Sequence, residues 1–355
     1  MKKKLAYLSS LDRNTKNGGA ALRIHATKEI LRKCDFQVDE FFSDDAQEST
    51  DLTDYLNIIK YGKETLVLFK KRKIDLRGYD FIVYDNLRHF SWDIIRDKGA
   101  KIIYNAHNIE TENYFQRSDS RTQRNFLQFE LDCINKSFYT FVCSQREKDY
   151  YIKHNLENPD KIIVIPNMVE KENYNSNEFK KNITFLGTLD YYPNMKAVEY
   201  LSQEFSTKVS KIKPNLLDTY NFIIAGRNPI PEQEELINSS IFQLKKNLTH
   251  EEVTGLLSCT YINLVPLMHG SGTRLKILEA ILSDNIVLST PLGAEGIENE
   301  NIHTSDITDF HQTFIDLLSR KETFSTENLS SFYREYDLNT WIKFNINDLK
   351  KRLSI

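Results

Sequence analysis

The chain is poor in several features that mark whole classes of protein. It has four cysteines, Cys34, Cys133, Cys143 and Cys259. None form a CxxC pair or share zinc-ligand spacing with a histidine, which argues against a zinc domain or a thioredoxin-like redox site. Cys143 and Cys259 lie in or beside apolar runs, where a free thiol is a small core residue. There is no excess of basic charge: 47 Lys and Arg face 50 Asp and Glu, for a formal net charge of -3. Nucleic-acid binding is therefore not expected, and any basic surface must be local. No apolar run approaches the ~18 residues of a membrane span. The opening Met1-Lys2-Lys3-Lys4-Leu5-Ala6-Tyr7-Leu8 is too short in its apolar part for a secretion signal and reads as a first strand, so a cytoplasmic protein is expected. Short repeats and low-complexity tracts are missing, and Gly18-Gly19 is not followed by a full GxGxxG pattern, which makes a plain dinucleotide-binding dehydrogenase a poor fit.

What is present is ordinary globular material, 40% hydrophobic and 27% charged, in 355 residues. That length exceeds what one core usually serves, so two domains are expected. Strand-like runs fall at residues 5–9, 37–42, 81–84, 101–105, 138–143 and 162–165. Helical stretches lie between most of them, and residues 20–33 carry Leu22, Ala26, Ile30 and Leu31 at helical spacing. The alternation restarts after Pro166, with strands at 182–187, 220–226, 261–266 and 286–289. Helices are expected at 195–210, 251–257, 273–282 and 338–353. This pattern predicts an α/β protein of two doubly wound, Rossmann-like halves with parallel sheets. A polar linker runs from about residue 165 to 176. The expected bounds are 1–168, 169–335 and a terminal helical segment, 336–355, packing back on the first domain. Two such halves facing each other leave a cleft at the carboxyl ends of their strands, where ligands bind.

The most specific string is His269-Gly270-Ser271-Gly272-Thr273-Arg274-Leu275-Lys276-Ile277-Leu278-Glu279-Ala280. It follows a strand and opens a helix. Glycines there let the backbone approach a ligand closely. The amides of Gly272, Thr273 and Arg274 at a helix start favour an anion, and Arg274 and Lys276 add two positive charges. Glu279, about two turns on, is a carboxylate suited to accept from a ribose diol. The plainer alternative is a glycine-rich turn beside a solvated basic pair.

This string, with Ser289-Thr290 and Leu292-Gly293-Ala294-Glu295-Gly296-Ile297, resembles the family 4 glycosyltransferases of the GT-B fold. Phe185-Leu186-Gly187-Thr188-Leu189-Asp190-Tyr191-Tyr192-Pro193-Asn194, Ile165-Pro166-Asn167, Ala106-His107-Asn108-Ile109-Glu110 and Gly18-Gly19 add to the resemblance, which spans nearly the whole chain. It implies a retaining, metal-independent enzyme without cofactor that moves a sugar from a nucleotide-diphosphate donor, UDP-linked, to a glycan or lipid-linked acceptor in surface polysaccharide or glycoconjugate synthesis. Arg274 and Lys276 would hold the diphosphate and Glu279 the ribose. Gly18, Gly19, Gly187, Thr188, Arg227, Gly270, Ser271, Gly272, Thr273 and Glu295 would line the donor site. His107 would face the transferred sugar, with Asn108 and Glu110 as acceptor contacts, Glu110 alternatively orienting His107. Glu295 either reaches the sugar or begins a turn.

Two positions depart from the pattern. Many members carry two glutamates with seven residues between them; Glu279 is the second, and Ser271 stands at the first. Many also have a basic residue where this chain has Thr188, which throws the phosphate charge onto Arg274 and Lys276. The loss at Ser271 keeps open a catalytically inactive partner subunit that binds nucleotide or glycan. A nucleotide-sugar epimerase of the same fold is a further alternative, which the 270–279 string opposes. His25 and His250 read as surface or structural residues, and Lys196 as solvent-facing. Residues 56–77 carry seven Lys or Arg interleaved with apolar positions. They form either a basic amphipathic helix for an anionic membrane surface or a sheet-covering helix with solvated charges.

Overall fold

In the computed structural model the described residues are 2–9, 11, 13, 18–42, 76–85, 87, 100–115, 120–154, 156–177, 179–270, 272 and 274–353. The basic stretch 56–77 lies outside them except for Leu76 and Arg77, and Ser271 and Thr273 lie outside them too. Two compact units form: Met1–Lys16, Ala20–Asn167 and Ile342–Ile355 in the first, Asn17–Gly19 and Met168–Trp341 in the second.

The first unit is built on six parallel strands: β1 (Lys4–Leu8), β2 (Gln37–Phe41), β3 (Phe81–Asp85), β4 (Lys101–Asn105), β5 (Tyr139–Val142) and β6 (Ile162–Val164). Their order is β2-β1-β3-β4-β5-β6. The central strands are buried on both faces, as β3 shows with Phe81, Ile82, Val83 and Tyr84 all in the core. A continuous apolar run is what a parallel sheet covered by helices demands. The helix Gly19–Lys33 lays Arg23, Ile24, Thr27, Ile30 and Leu31 inward, a stripe at three- and four-residue spacing. The end of the C-terminal helix also belongs here, with Lys350 paired to Asp35 at 2.5 Å and Tyr139 Oη donating to the Arg352 carbonyl.

The second unit repeats the plan with β7 (Asn182–Thr188), β8 (Asn221–Arg227), β9 (Gln243–Lys246), β10 (Thr260–Val265), β11 (Ile286–Ser289) and β12 (Ile302–Thr304). Read as β9-β8-β7-β10-β11-β12, the order runs outward from β7 on one side and from β10 on the other. The chain reverses its winding between β7 and β10, and in open α/β sheets ligands settle at the carboxyl side of such a reversal. In the first unit the corresponding reversal falls between β1 and β3.

Several expected elements differ in detail. The helix expected at 195–210 starts at Tyr192, passes through a π turn at Leu201–Phe205 and continues as Ser206–Ile212. Strands β9 and β12 were not expected; β9 is a partly exposed edge strand of sequence QLKK, and β12 has only three residues. The segment expected as a polar linker is packed: Met168, Val169 and Tyr174 are buried, and Val169 bridges Asp337 in parallel. The final helix spans Leu338–Leu353, as its periodicity predicts.

β7 and β8 approach closely through a glycine pair, Gly187 opposite Gly226. A Cβ on Gly226 would lie 2.0 Å from the Gly187 carbonyl oxygen and 2.6 Å from Leu189 Cγ. Gly226→Ala should therefore force backbone movement and cost at least the ~1–3 kcal/mol of an overpacked core. Gly255→Ala, at a helical position with nothing within 4 Å of the new methyl, should be neutral or gain up to ~1 kcal/mol. Denaturant melts of the two variants check the contrast.

Candidate functional site

The loop between β10 and the helix Leu275–Leu282 carries the residues that the sequence pattern singled out. Gly270 and Gly272 sit at φ +101° and +84°, which only glycine adopts without strain. Arg274 is extended (φ -87°, ψ 96°) and no side chain caps the helix behind it. The helix thus begins at Leu275, two residues later than expected. Gly272, Thr273 and Arg274 precede it, and the amides of its first turn are those of Leu275, Lys276 and Ile277. The extended backbone of Arg274 puts that residue outside the helix and makes it the N-cap.

Within the helix, Leu275, Ile277, Leu278, Ala280, Ile281 and Leu282 are buried. Lys276 and Glu279 are three apart and so share one face. Two charges on an otherwise apolar, buried helix need a local explanation. Lys276 Nζ donates to Asn194 Oδ1 at 2.9 Å and lies 4.4 Å from the centre of the Phe185 ring. Its partners are thus a neutral amide and an aromatic face. Burial and the neighbouring Arg274 charge draw the Lys276 ammonium down to about 7, with Glu279 opposing. Glu279 accepts from Tyr174 Oη at 2.9 Å. Burial pushes its carboxyl up to about 7, while the Tyr174 bond and the Lys276 charge pull it down. Burial raises the Tyr174 phenol, as does the Glu279 charge, so Tyr174 stays a donor.

Gly187 and Thr188 close β7 instead of forming the turn, which follows them. A Cβ on Gly187 would come within 2.7–3.1 Å of the Asn194 amide atoms. The missing side chain therefore makes room for Asn194, which also donates to the Thr188 carbonyl at 2.8 Å. Asn194 links the Gly187 strand end to Lys276, and the sequence pattern did not single it out. Arg227 ends β8 directly opposite Thr188 in register and is half-buried. Glu295 is half-buried in the turn after β11. That turn is tied to the loop after β10: Thr290 Oγ1 donates to the Leu267 carbonyl at 2.5 Å and accepts from Gly293 N at 3.0 Å. Gly18 (φ +100°) and Gly19 stand at the start of the helix after β1. His250 packs edge-on against Tyr174, His25 is exposed, and Lys196 pairs with Glu199 at 2.5 Å.

In the first unit, His107 follows β4 and its Nε2 lies 2.6 Å from Asp85 Oδ1. Asp85, at the end of β3, was not anticipated; only its place at a strand terminus could have drawn attention to it. The same oxygen accepts from Tyr7 Oη at 3.0 Å and Asn105 Nδ2 at 2.9 Å. Burial, then the Asp85 charge, lifts the Tyr7 phenol well above its usual range. Asn108 is half-buried, whereas Glu110 is buried and opens the helix Glu110–Phe115. A buried side chain cannot meet an acceptor in this conformation, and the carboxylate against the His107 ring is that of Asp85. The loop carrying Asn108 is anchored by Glu130, which accepts from the amides of Glu110 at 2.9 Å and Thr111 at 3.2 Å and from Tyr151 Oη at 2.8 Å.

With this geometry in hand, comparison with known proteins is informative. Residues 180–320 match the family model described as Glycosyl transferases group 1. No curated protein matches the sequence significantly. Sucrose-phosphate synthase from Thermosynechococcus elongatus is similar in structure, with TM-score 0.72, 14% identity and 99% of each chain covered. Anabaena HepE in complex with UDP and glucose has TM-score 0.64 at 12% identity, again over 99% of each chain. The pneumococcal O-GlcNAc transferase GtfA in complex with UDP and GlcNAc has TM-score 0.58 at 14% identity, covering 78% of this chain and 57% of that one. At such identities the likeness is one of fold. The chain has the GT-B fold, α/β with two parallel six-stranded sheets, and the match to the glycosyl transferases group 1 model falls within its second unit.

On the roles that the resemblance implies, the Lys276–Glu279 pair would set a pH dependence for nucleotide binding. The diphosphate would need Lys276 charged, and the ribose diol would be best accepted by ionised Glu279. As pH rises through about 7 Lys276 loses its proton, and as pH falls through about 7 Glu279 gains one. Affinity for UDP-glucose, whose diphosphate does not titrate there, should peak near pH 7. It should fall by up to ~10-fold per pH unit on either side. Lys276→Met should remove the alkaline limb and Glu279→Gln the acid limb, read by calorimetric titration across pH.

Proposed function

We propose that the protein is a retaining glycosyltransferase of family 4 that moves a sugar from a UDP-linked donor to a glycan or lipid-linked acceptor in surface polysaccharide or glycoconjugate synthesis. The observation that carries this reading is Lys276, a half-buried cation resting on an amide and a ring beside Arg274, at a helix start that no side chain caps. An anion is the ligand that such a place lacks. The matched family and the UDP bound by Anabaena HepE and by GtfA support a nucleotide sugar as that anion.

On this reading Arg274, Lys276 and the helix amides meet the charge that grows on the departing diphosphate. They stabilise the transition state more than the ground state. With that charge met by the protein, the reaction calls for no metal and no cofactor besides the donor. Glu279 takes the ribose, while Gly187, Thr188, Arg227, Gly270 and Gly272 shape the diphosphate side. Ser271, Thr273, Glu295, Gly18 and Gly19 complete the donor surroundings. Retention follows from attack on the face the leaving group departs from, with a donor phosphate oxygen taking the acceptor proton. His107 contacts the transferred sugar, and Asn108 lies toward the acceptor.

Ser271 in place of a glutamate favours one second reading, a partner subunit that binds the donor without turning it over. Thermal shift with UDP-, GDP-, ADP- and dTDP-sugars, for the parent and Arg274→Ala, tests both. A donor at a hundred times its dissociation constant adds about 2.7 kcal/mol of stability. The expected result is a rise with a UDP-sugar that Arg274→Ala abolishes, followed by UDP release when acceptor is supplied. Binding without release with any acceptor or water would favour the inactive subunit. A new sugar released without acceptor would mark an epimerase, and no rise with any nucleotide sinks the transferase.

The basic stretch 56–77 suits the inner face of an anionic membrane, which a lipid-linked acceptor would require. Among the described residues no helix is long and apolar enough to cross a membrane. Sedimentation with anionic liposomes at low salt should carry the protein down and high salt should release it. A protein that stays in the supernatant at low salt ends the membrane proposal.

A further inference from the structure

Three adjacent strands of the first sheet deliver polar groups to one oxygen atom. Tyr7 lies on β1, Asp85 ends β3 and Asn105 ends β4, with Asp85 and Asn105 opposite each other in register. Asp85 Oδ1 accepts from Tyr7 Oη at 3.0 Å and from Asn105 Nδ2 at 2.9 Å, and His107 Nε2 stands 2.6 Å away. Asn105 Nδ2 also reaches Tyr7 Oη at 3.1 Å. Tyr7, Asp85 and Asn105 are all 0% exposed, while the His107 side chain keeps 9%. The group sits where the winding of the sheet reverses, between β1 and β3.

An ionised carboxylate only accepts hydrogen bonds, so the atom of His107 facing Asp85 must carry a proton. In the neutral ring the other nitrogen is then bare. Nδ1 makes no hydrogen bond among the described residues. Tyr7 and Asn105 already occupy Asp85 Oδ1, so satisfying the buried carboxylate does not require the imidazole. The imidazole is the one member of the group that retains solvent access. A carboxylate that fixes the tautomer of a functional histidine is a common arrangement, because the bond at one nitrogen decides what the other can do.

We infer that Asp85 is a positioning residue for His107. It holds the neutral ring as the Nε2–H tautomer, so that Nδ1 is the nitrogen offered to the transferred sugar and accepts a hydrogen bond from one of its hydroxyls. The second half of this inference rests on the glycosyltransferase reading; the first half does not.

The test is nitrogen NMR on the full chain labelled in histidine, with the His107 signals identified by their loss in His107→Gln. With its ring neutral, His107 should show a bare Nδ1 and a protonated Nε2 in the ligand-free protein. Asp85→Asn should move both signals toward the averaged values of a free histidine, whereas Tyr7→Phe should leave them in place. UDP-glucose or UDP-N-acetylglucosamine, whichever stabilises the protein, should shift the Nδ1 signal strongly, and UDP alone should not.

A wild-type ring protonated at Nδ1, or an evenly mixed one, overturns the assignment with no variant needed. So does a folded Asp85→Asn protein with unchanged His107 signals. A stabilising UDP-sugar that leaves Nδ1 where UDP leaves it overturns the sugar contact. If no UDP-sugar binds, the transferase reading fails, and the ligand-free spectrum still decides the role of Asp85.

Discussion

The second unit is organised around the difficulty of keeping Lys276 charged. An ammonium taken out of water is costly unless its charge is met. Asn194 and the Phe185 ring meet it in part, and the Lys276 proton is correspondingly weakly held, near 7. The surrounding choices follow from that. Gly187 has no side chain because the Asn194 amide fills its space, and Asn194 is itself fixed by the Thr188 carbonyl. Pro193 at the start of the helix Tyr192–Tyr200 sets the approach of Asn194 and stands 3.2 Å from where a Gly270 Cβ would be. The end of β7 and two helix starts thus converge on one cation. An anion would meet the charge that this arrangement answers only in part, which is the ground of the diphosphate proposal.

The two sheets share one plan and use opposite charge. Each reverses its winding once. In the second unit Arg227 ends β8, and Arg274 and Lys276 follow β10. In the first, Asp85 ends β3, and Glu110, Glu130 and Glu147 lie on the helices after β4 and β5, all four carboxylates buried. Burial lifts Glu130 and pushes Glu147 up to about 7, against the bonds they accept from backbone and side chains. Glu130 secures the loop after β4 through its amides, and Glu147 accepts from the Cys143 amide after β5 at 2.7 Å. Carboxylates that receive backbone amides keep a strand-end loop in one shape. Cations that face a neutral amide remain available to a ligand. The same topology therefore supports a rigid edge in one unit and a receptive one in the other.

Much of this was legible in the sequence, and the limits have physical causes. The strands β1, β3, β4, β7, β8 and β10 are continuous apolar runs because both faces are covered, and such runs stand out in one dimension. β9, with sequence QLKK, and β12, with IHT, are edge strands whose pairing is decided by neighbours far along the chain, so local composition does not reveal them. The residues that the structure gathers after β10 were readable because Gly270, Gly272, Arg274, Lys276 and Glu279 lie within one short string. Asn194, Tyr174 and Asp85 were not, because each acts across the fold: Asn194 on Lys276, Tyr174 on Glu279 at 105 residues' separation, Asp85 on His107. The helix Leu275–Leu282 starts two residues later than expected because Arg274 is extended, a backbone choice that its residue type does not reveal.

Ser271 bears on whether such a site still performs chemistry. On the transferase reading, the carboxylate missing there would touch the sugar, whereas Arg274, Lys276 and Glu279 serve the diphosphate and the ribose. The hardest part of glycosyl transfer is the charge left on the departing diphosphate, and the groups that answer it are cations and helix amides. On that reading, the presence of Arg274 and Lys276 argues for an active enzyme more strongly than a serine at 271 argues against it. A decayed donor site would be expected to lose first what is costly to keep, and a cation with no carboxylate salt bridge, whose proton is held at about 7, is costly. Lys276 and Glu279 are the two charged residues on a helix whose other residues are apolar and buried. On the transferase reading, a serine at 271 then bears on which sugar is held, and the charge on the leaving diphosphate is still answered.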